Sequence, residues 1–346
     1  MGTKKILDRI KFVKDPRVKI LDESTVFFLR QGEEVAYYDA ASDQLKNLVE
    51  DLKTKNWTDA IAQAFEERNP WLYKIVTDTS RSDFIFLLPM RGEDLALDLG
   101  AGWGQVAIPL SRFCDVVAVE GNPKKLEIMK AIAGHEKREN IAFVLSNIID
   151  LPFDKGQFDT VILNGVLEWV GSFGGLKDPL ELQSEALRKA YDLLVPGGHL
   201  YLGIENKYGL KYLLGEIDDH TGIRNFTYLP IEKAKRVYRE ERGEDLRVFV
   251  HSKDQYEDML KKSGFSSIHF YAAFPDYKFP KVMIDLSCAE ASKYFLEKMD
   301  FVDEHKGGED GSRSFYNDRL RDIYPILLSL GVFEHLCPSY GIIAQK

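Results

Sequence analysis

Apolar residues along this chain fall into two patterns, short continuous runs and stripes at helical spacing. The continuous runs lie at 95–99 and 116–119, and each is short enough for one buried strand. Stripes at 45–52, 57–65 and 187–194 repeat every three to four residues, as in helices that bury one face. Strands that alternate with helices in this way indicate a doubly wound α/β fold with a mostly parallel sheet.

The amino-terminal part and two long connections lie outside this alternation. Residues 18–39 are rich in β-forming residues around Gln31-Gly32 and predict a hairpin. We therefore expect residues 1–80 to form an amino-terminal cap of hairpin and helices, and residues 81–346 to form the core. The connections at 206–251 and 274–337 are longer than a simple turn needs, and we expect both to be lids over the carboxyl edge of the sheet.

The most informative segment joins the 95–99 run to the next predicted helix. Asp98 is followed by Gly100, Gly102 and Gly104, and a helix is predicted from Val106. A strand that turns tightly into a helix presents bare backbone N–H groups, and glycines let a ligand approach the main chain closely. The segment therefore predicts a ligand site at the carboxyl ends of the strands.

A second acid and the glycine spacing narrow the class of ligand. Glu120 ends the 116–119 run, where a carboxylate can accept hydrogen bonds from a ribose diol. A nicotinamide or flavin fingerprint needs a glycine where Gln105 stands, and Asp98 would repel a pyrophosphate. These residues favour an adenosine cofactor with a charged amino-acid tail, and they argue against a nicotinamide oxidoreductase.

The order of these motifs resembles the class I S-adenosylmethionine-dependent methyltransferases. Besides the glycine segment, the resemblance is carried by residues 147–153, by residues 158–164 and by the Pro-Gly-Gly sequence at 196–198. It covers residues 80–205 of the chain. It implies a seven-stranded, mostly parallel Rossmann-like sheet with its last strands near 266–273 and 338–346, and S-adenosylmethionine as the cofactor.

The resemblance also implies which residues bind the cofactor. They are Asp98, Gly100, Ala101, Gly102, Gly104, Glu120, Gly121, Asn147, Ile148, Asn164 and Arg81. Asn147 stands where the family usually has an aspartate that contacts the adenine amino group, and its carbonyl can accept that hydrogen bond without a charge. Arg81 is expected either to meet the methionine carboxylate or to form a surface ion pair.

A hydroxyl group is a poor nucleophile, so an enzyme that methylates it needs a general base. Two segments of the predicted lids contain residues that could act as this base. In the segment Asp218-Asp219-His220, we select His220 with Asp219 because an imidazole beside carboxylates titrates near neutral pH. The alternative for this segment is a solvated polar turn. Asp276, between two prolines and aromatic residues, is the other candidate base, with a structured corner as its alternative. Three adjacent loop residues do not all face one ion easily, so no metal site is predicted.

Residues 205–209, 218–220 and 274–278 also resemble, more loosely, methyltransferases associated with bacterial surface-glycan biosynthesis. This resemblance implies O-methylation of a small or glycan-like acceptor and a role in polysaccharide biosynthesis. Two alternatives stay open. One is an RNA or protein methyltransferase on the same core, and the other is a non-catalytic module that binds the cofactor.

Charge and composition restrict the partners. The chain has 46 Lys and Arg against 55 Asp and Glu, a net charge of −9, which disfavours nucleic acid as a partner. No apolar run is long enough to span a membrane, and the amino terminus is charged where a signal peptide is apolar. The three cysteines are far apart in sequence, which is typical of reduced thiols in a cytoplasmic protein.

Overall fold

The computed structural model describes residues 6–29, 40–172, 177–298 and 312–346. The chain divides into two compact units. The first unit consists of Met1–Asn164, Arg188–Tyr201 and Gln345–Lys346, and the second of Gly165–Leu187 and Leu202–Ala344. Each unit is therefore assembled from segments that are distant in sequence.

The first unit is built on a mostly parallel sheet. Its strands are β1 (Lys19–Ile20), β2 (Thr25–Phe28), β3 (Leu95–Leu99), β4 (Asp115–Glu120), β5 (Ile141–Ser146), β6 (Phe158–Asn164) and β7 (Leu194–Glu205), which enters the second unit at Leu202. Their order is β1-β2-β5-β4-β3-β6-β7. β3 is parallel to β4 and β6, and β5 is parallel to β4 and β2. Strands β3 and β5 are buried throughout, which explains their continuous apolar sequences.

Among the described residues, the first unit contains five complete helices and two 3-10 helices beside this sheet. They are α1 (Ser42–Asp51), α2 (Trp57–Phe65), α3 (Pro70–Thr77), α4 (Ala107–Leu110) and α5 (Pro123–His135), with 3-10 helices at Ile6–Arg9 and Thr79–Leu87. The stripe predicted at 45–52 is the buried face of α1. Asn122 caps α5 through hydrogen bonds to its side chain, and Pro123 occupies the first turn, where its missing N–H costs nothing.

The second unit holds the end of β7 and three further strands in the order β7-β10-β8-β9. These strands are β8 (Ser267–Phe274), β9 (Val282–Asp285) and β10 (Ser339–Gln345). Its helices are α6 (Pro179–Leu193, in the first unit from Arg188), α7 (Leu210–Leu213), α8 (Ile231–Arg242), α9 (Lys253–Ser263), α10 (Ala289–Lys298), α11 (Ser312–Ser329) and α12 (Phe333–Leu336). A capping box at Ser252 starts α9, and Gly264 ends it in a left-handed conformation.

The described residues form ten strands, whereas the resemblance implied seven. The two strands implied near 266–273 and 338–346 are present as β8 and β10. The additional strands are β1 and β2 beside β5, and β9 beside β8. The hairpin of β1 and β2, which was expected in a cap, extends the sheet because apolar β2 pairs in parallel with β5. Its turn lies at 21–24, and the predicted Gln31-Gly32 turn falls outside the described residues.

The two long connections contain helices of their own. Residues 206–251 include α7 and α8, and residues 274–337 include β9, α10, α11 and α12. Both belong to the second unit. The function of these segments as lids stays a prediction.

Candidate functional site

The glycine segment after β3 forms the tight strand–helix turn that the sequence predicted, and its glycines adopt a left-handed backbone. Gly100, Gly102 and Gly104 have φ values of +74°, +56° and +86°. At Gly104 a Cβ atom would lie 2.7 Å from Ile108 Cδ1 and 2.8 Å from Met129 Cγ. Glycine is therefore required there both by the backbone and by the packing of α5 against the loop.

The N–H groups of this loop are not bare, in contrast to the sequence expectation. Gly100 and Ala101 each donate to the Val119 carbonyl at 2.9 Å. The remaining loop donors are also bonded: Gly102 to Glu120, Trp103 to the Gln105 side chain, and Gly104 to the Ala101 carbonyl. The parallel neighbour β4 supplies most of these acceptors. The loop thus offers a ligand close approach to its backbone rather than free donors.

Glu120 lies at the end of β4 and is buried. Its Oε2 accepts from the Gly102 N–H at 2.9 Å, and its Oε1 accepts from the Asn122 N–H at 2.8 Å. Burial raises the pKa of Glu120, while Lys125 and these N–H donors oppose the rise. Each carboxylate oxygen has a second lone pair, so the side chain can still accept hydrogen bonds from a ligand.

Asp98 lies inside β3 and is 2% exposed. Its Oδ2 has no hydrogen-bond partner among the described residues. Burial raises the pKa of Asp98 to about 7, Arg81 opposes the rise, and the charge of Glu120 adds to it. A buried acceptor without a donor is costly, so this carboxyl group is suited to a cationic ligand group.

Arg81 and Asn164 contact each other at the end of β6. The Arg81 Nη2 donates to the Asn164 carbonyl at 3.3 Å, and the Asn164 Nδ2 donates to the Arg81 carbonyl at 3.4 Å. Both residues are buried, so Arg81 does not form the surface ion pair that was its alternative. The Asn164 Oδ1 is a further buried acceptor without a hydrogen-bond partner in the described part of the chain.

Asn147, Ile148 and Gly121 complete the predicted cofactor residues. Asn147 and Ile148 follow β5 directly, and the Asn147 Oδ1 accepts from the Ile149 N–H at 3.0 Å, which closes a tight turn. Gly121 follows β4 directly. Since β3, β4, β5 and β6 are parallel neighbours, these residues share one edge of the first unit's sheet with the glycine loop.

The predicted base His220 belongs to the second unit, in a cluster of buried charged groups. Its Nε2 lies 3.7 Å from the Glu205 Oε1 and 4.0 Å from the Glu168 Oε1. The imidazole is 6% exposed and packs edge-on against the Trp169 ring at 5.2 Å. We call Glu168, Glu205, His220, Tyr277 and Lys278 the acid–base cluster.

The two glutamates of the acid–base cluster differ in protonation. The Tyr277 hydroxyl lies 3.3 Å from the Glu168 Oε1 and 3.2 Å from the Glu205 Oε1. Burial and the charge of Glu205 raise the pKa of Glu168 to about 8. Burial also disfavours the charge on Glu205, but Lys278 and His220 outweigh it and lower the pKa of Glu205. At neutral pH the pair therefore consists of an acid and a carboxylate, and the tyrosine hydroxyl can connect them.

Glu168, Glu205 and His220 also have the composition of a metal site. One ligand atom from each lies within 4.8 Å of the others. The Lys278 ammonium already bonds to the Glu205 Oε1, however, and Glu168 is neutral at pH 7. The Glu168 Oε2 and the Glu205 Oε2 are nevertheless buried without a hydrogen-bond partner among the described residues, so each keeps an acceptor that a proton donor or a cation could use.

The other two candidate bases are bound in different ways. The Asp219 Oδ2 is 3.1 Å from the Lys211 Nζ and 3.3 Å from the Lys278 Nζ. Burial disfavours its charge, but these ammonium groups hold the pKa of Asp219 well below its ordinary value. The Asp276 Oδ1 accepts from the backbone N–H groups of Lys278 and Phe279 and so fixes the 276–279 turn.

Sequence reasoning did not assign roles to Glu205, Tyr277 and Lys278. The sequence drew attention to the segments 205–209 and 274–278, which contain these residues. Nothing in the sequence indicated that the two segments are in contact in the folded chain. Tyr277 lies 109 positions from Glu168, and only the folded second unit brings the two together.

A cavity of the second unit reaches the imidazole of His220. Its polar lining comes from Lys207, Asp218, His220, Thr221 and Thr227. Its apolar lining comes from Phe226, Leu229, Ile231, Ala234, Leu246, Val248, Phe249 and Val250. No helix among the described residues combines the length and the apolar character needed to cross a membrane.

Residues 97–202 match a family of methyltransferase domains. The chain is 25% identical over 206 residues to the ubiquinone/menaquinone biosynthesis C-methyltransferase UbiE of Rickettsia typhi, covering 55% of this chain and 75% of that protein. It is 31% identical over 108 residues to a demethylmenaquinone methyltransferase of Lactococcus lactis, covering 30% and 39%. A solved methyltransferase of Thermotoga maritima, a possible histamine N-methyltransferase, aligns with a TM-score of 0.43 at 17% identity, covering 83% of this chain and 98% of that one.

Proposed function

The chain is an S-adenosylmethionine-dependent methyltransferase, and we propose that its acceptor is a small hydroxylated molecule whose proton passes to His220. The observation that carries the proposal is the placement of a buried imidazole 3.7 Å from the Glu205 carboxylate. A proton accepted by His220 would be stabilised by this neighbouring charge.

The first unit contains residues that fit the cofactor. Asp98 offers an unbonded buried oxygen to an ammonium group, and Glu120 offers lone pairs to ribose hydroxyls. Asn147 and Ile148 are proposed to meet the adenine, and Asn164 and Arg81 the methionine part. When bound, S-adenosylmethionine supplies an electrophilic methyl group whose leaving sulfur needs no acid.

The second unit is proposed to hold the acceptor through the segments 206–251 and 274–337. Lys278 keeps Glu205 ionised, and the Glu205 Oε1 lies 3.7 Å from the His220 Nε2. The Tyr277 hydroxyl lies within hydrogen-bonding distance of both Glu205 and the neutral Glu168, so it can hold the two side chains in place beside the imidazole. Asp219 and Asp276 serve in this proposal to position Lys278 rather than to accept the proton.

Two kinds of product are compatible with this base. The original expectation is an O-methyl product on a small or glycan-like acceptor. Two of the three curated relatives are named as ubiquinone/menaquinone biosynthesis C-methyltransferases and the third as a demethylmenaquinone methyltransferase, which favours a C-methyl product. His220 has the same function in both, because removal of the hydroxyl proton activates either the oxygen or the adjoining carbon.

The test measures turnover with S-adenosylmethionine on two sets of acceptors, one of phenols and one of sugars. The amount of demethylated cofactor that is formed reports the turnover. Proton and carbon NMR of the product distinguishes an O-methyl from a C-methyl group. We expect His220→Ala to lose at least about a hundredfold in turnover and to keep its cofactor affinity. The control is His269→Ala, an exposed histidine of the same unit.

Three outcomes would contradict the proposal. Unchanged turnover of His220→Ala removes it as the base. Cofactor binding without turnover on either panel favours the non-catalytic module. Turnover on RNA or protein but not on small molecules favours the other alternative.

A further inference from the structure

Tyr201 carries a buried hydroxyl group for which the fold supplies no partner. The side chain belongs to β7, is fully buried and stacks its ring on the Phe84 ring at 3.6 Å. Its hydroxyl has no hydrogen-bond partner among the described residues, whereas the buried hydroxyls of Tyr256 and Tyr340 both donate to backbone carbonyls. Since a buried hydroxyl without a partner costs free energy, Tyr201 indicates a partner from outside the chain.

The strand register places Tyr201 on the same face of the first unit's sheet as Asp98. Asp98 of β3 pairs with Ile162 of β6. On the other side of β6, β7 runs in the same direction, and the Gly165 N–H donates to the Gly203 carbonyl at 2.9 Å. In a parallel pair this bond sets Ile162 beside Tyr201, and side chains of paired residues point to the same face. Asp98 and Tyr201 therefore flank Ile162.

The charge of Arg81 acts on both of these side chains. Arg81 lies in the 3-10 helix Thr79–Leu87, the helix that also carries the ring stacked on Tyr201. Burial raises the pKa of the Tyr201 hydroxyl and of the Asp98 carboxyl, and the Arg81 charge opposes each rise. Asn164, two positions after Ile162 in β6, faces the same way and contacts Arg81. All of these residues belong to the first unit.

The unpaired atoms on this face define the chemistry of a ligand group that would satisfy them. The Asp98 Oδ2 and the Asn164 Oδ1 are buried acceptors without a donor in the described part of the chain, and they suit an ammonium group. The Tyr201 hydroxyl keeps its proton at neutral pH because its pKa lies above the ordinary value of 10, so it can donate. A donor beside the Arg81 charge suits a carboxylate. An α-amino acid carries both groups.

We propose that Tyr201 is a cofactor-binding residue whose hydroxyl donates a hydrogen bond to the carboxylate of the methionine part of S-adenosylmethionine. The inference rests on the proposed function, which assigns Asp98, Asn164 and Arg81 to the same part of the cofactor. It adds a residue from β7, the strand beyond the predicted cofactor residues. It also assigns the two ends of the amino acid, with the ammonium group at Asp98 and the carboxylate at Tyr201.

The test measures binding of two ligands to the full chain by calorimetry. The ligands are S-adenosylhomocysteine and its decarboxylated analogue, which keeps the ammonium group. We expect Tyr201→Phe to lose roughly tenfold or more in affinity for S-adenosylhomocysteine and to keep its affinity for the analogue, because only the first ligand has the carboxylate. The variant keeps the ring that stacks on Phe84. Tyr191→Phe, in the same unit with its ring against the Lys346 ammonium group, is the control and should keep both affinities.

Unchanged affinity of Tyr201→Phe for S-adenosylhomocysteine overturns the inference. An equal loss for both ligands overturns it as well, because the hydroxyl would then act on the pocket and not on the carboxylate. A wild-type chain that binds both ligands equally overturns it without any variant. These measurements use no methyl acceptor, so the result for the base is separate. If His220→Ala retains turnover while Tyr201→Phe loses affinity for S-adenosylhomocysteine alone, the proposed base is wrong and the role of Tyr201 is supported.

Discussion

The Glu120 carboxylate accepts a hydrogen bond from the Gly102 N–H at 2.9 Å, so the acid that ends β4 also holds the glycine loop that follows β3. The same side chain accepts from the Asn122 N–H that precedes α5. One residue thereby fixes the two turns at the sheet edge where the cofactor is proposed to bind. The two oxygens that make these structural contacts are also the ones proposed to bind the ribose of the cofactor.

Glu120→Ala should therefore weaken cofactor binding and cost stability at once. We expect at least about a tenfold loss of affinity for S-adenosylmethionine and a loss of about 1–3 kcal/mol in the free energy of unfolding, because two buried N–H groups lose their acceptor. Calorimetric titration and denaturant unfolding measure the two effects. The exposed Glu127→Ala on α5 is the control. Unchanged affinity in folded Glu120→Ala would show that the cofactor binds elsewhere.

Gly104→Ala tests the close packing of the loop. The added methyl group would meet Ile108 and Met129 at under 3 Å on a residue with φ of +86°. We expect a loss of about 2–4 kcal/mol in the free energy of unfolding, from the left-handed backbone and from overpacking. Gly134→Ala on α5 is the matched control, since its Cβ meets nothing within 4 Å, and it should be neutral or slightly stabilising. Equal stability of the two variants would contradict this account.

Glu168 should make the stability of the second unit depend on pH. Its pKa is about 8 in the folded chain, against an ordinary value of 4.5, so the folded state holds a proton that the unfolded state has released between these values. Stability therefore falls as the pH rises from about 5 to about 8. Glu168→Gln has no such proton, and its stability should exceed that of the wild type most at pH 8 and above. Parallel unfolding curves across pH 4.5–9 for the two chains would contradict the assignment.

Local signals predicted the core of the first unit well, because the relevant residues are neighbours in sequence. Three glycines after an apolar run determine a left-handed loop, and Asn122-Pro123 determines a helix start, without any distant contact. The pairing of β2 with β5 was not predicted, because the sequence of a hairpin does not indicate which other strand pairs with it. The pairing of Glu205 with Lys278 was missed for the same reason, since 73 positions separate them.

Lys207 is 6% exposed and pairs with no carboxylate among the described residues, so Lys207→Met should stabilise the second unit. A buried ammonium group without a counter-charge costs free energy, and a methionine fills a similar volume with apolar atoms. We expect the free energy of unfolding at neutral pH to rise by about 1–3 kcal/mol. Because the folded state lowers the pKa of Lys207, this gain should be complete below that lowered pKa, shrink as the pH rises toward the ordinary lysine value of 10.5, and be absent above it. Thermal unfolding of both chains at pH 7 and pH 11 measures the difference. A Lys207→Met chain that is less stable than the wild type at pH 7 would mean that the ammonium group is compensated inside the fold.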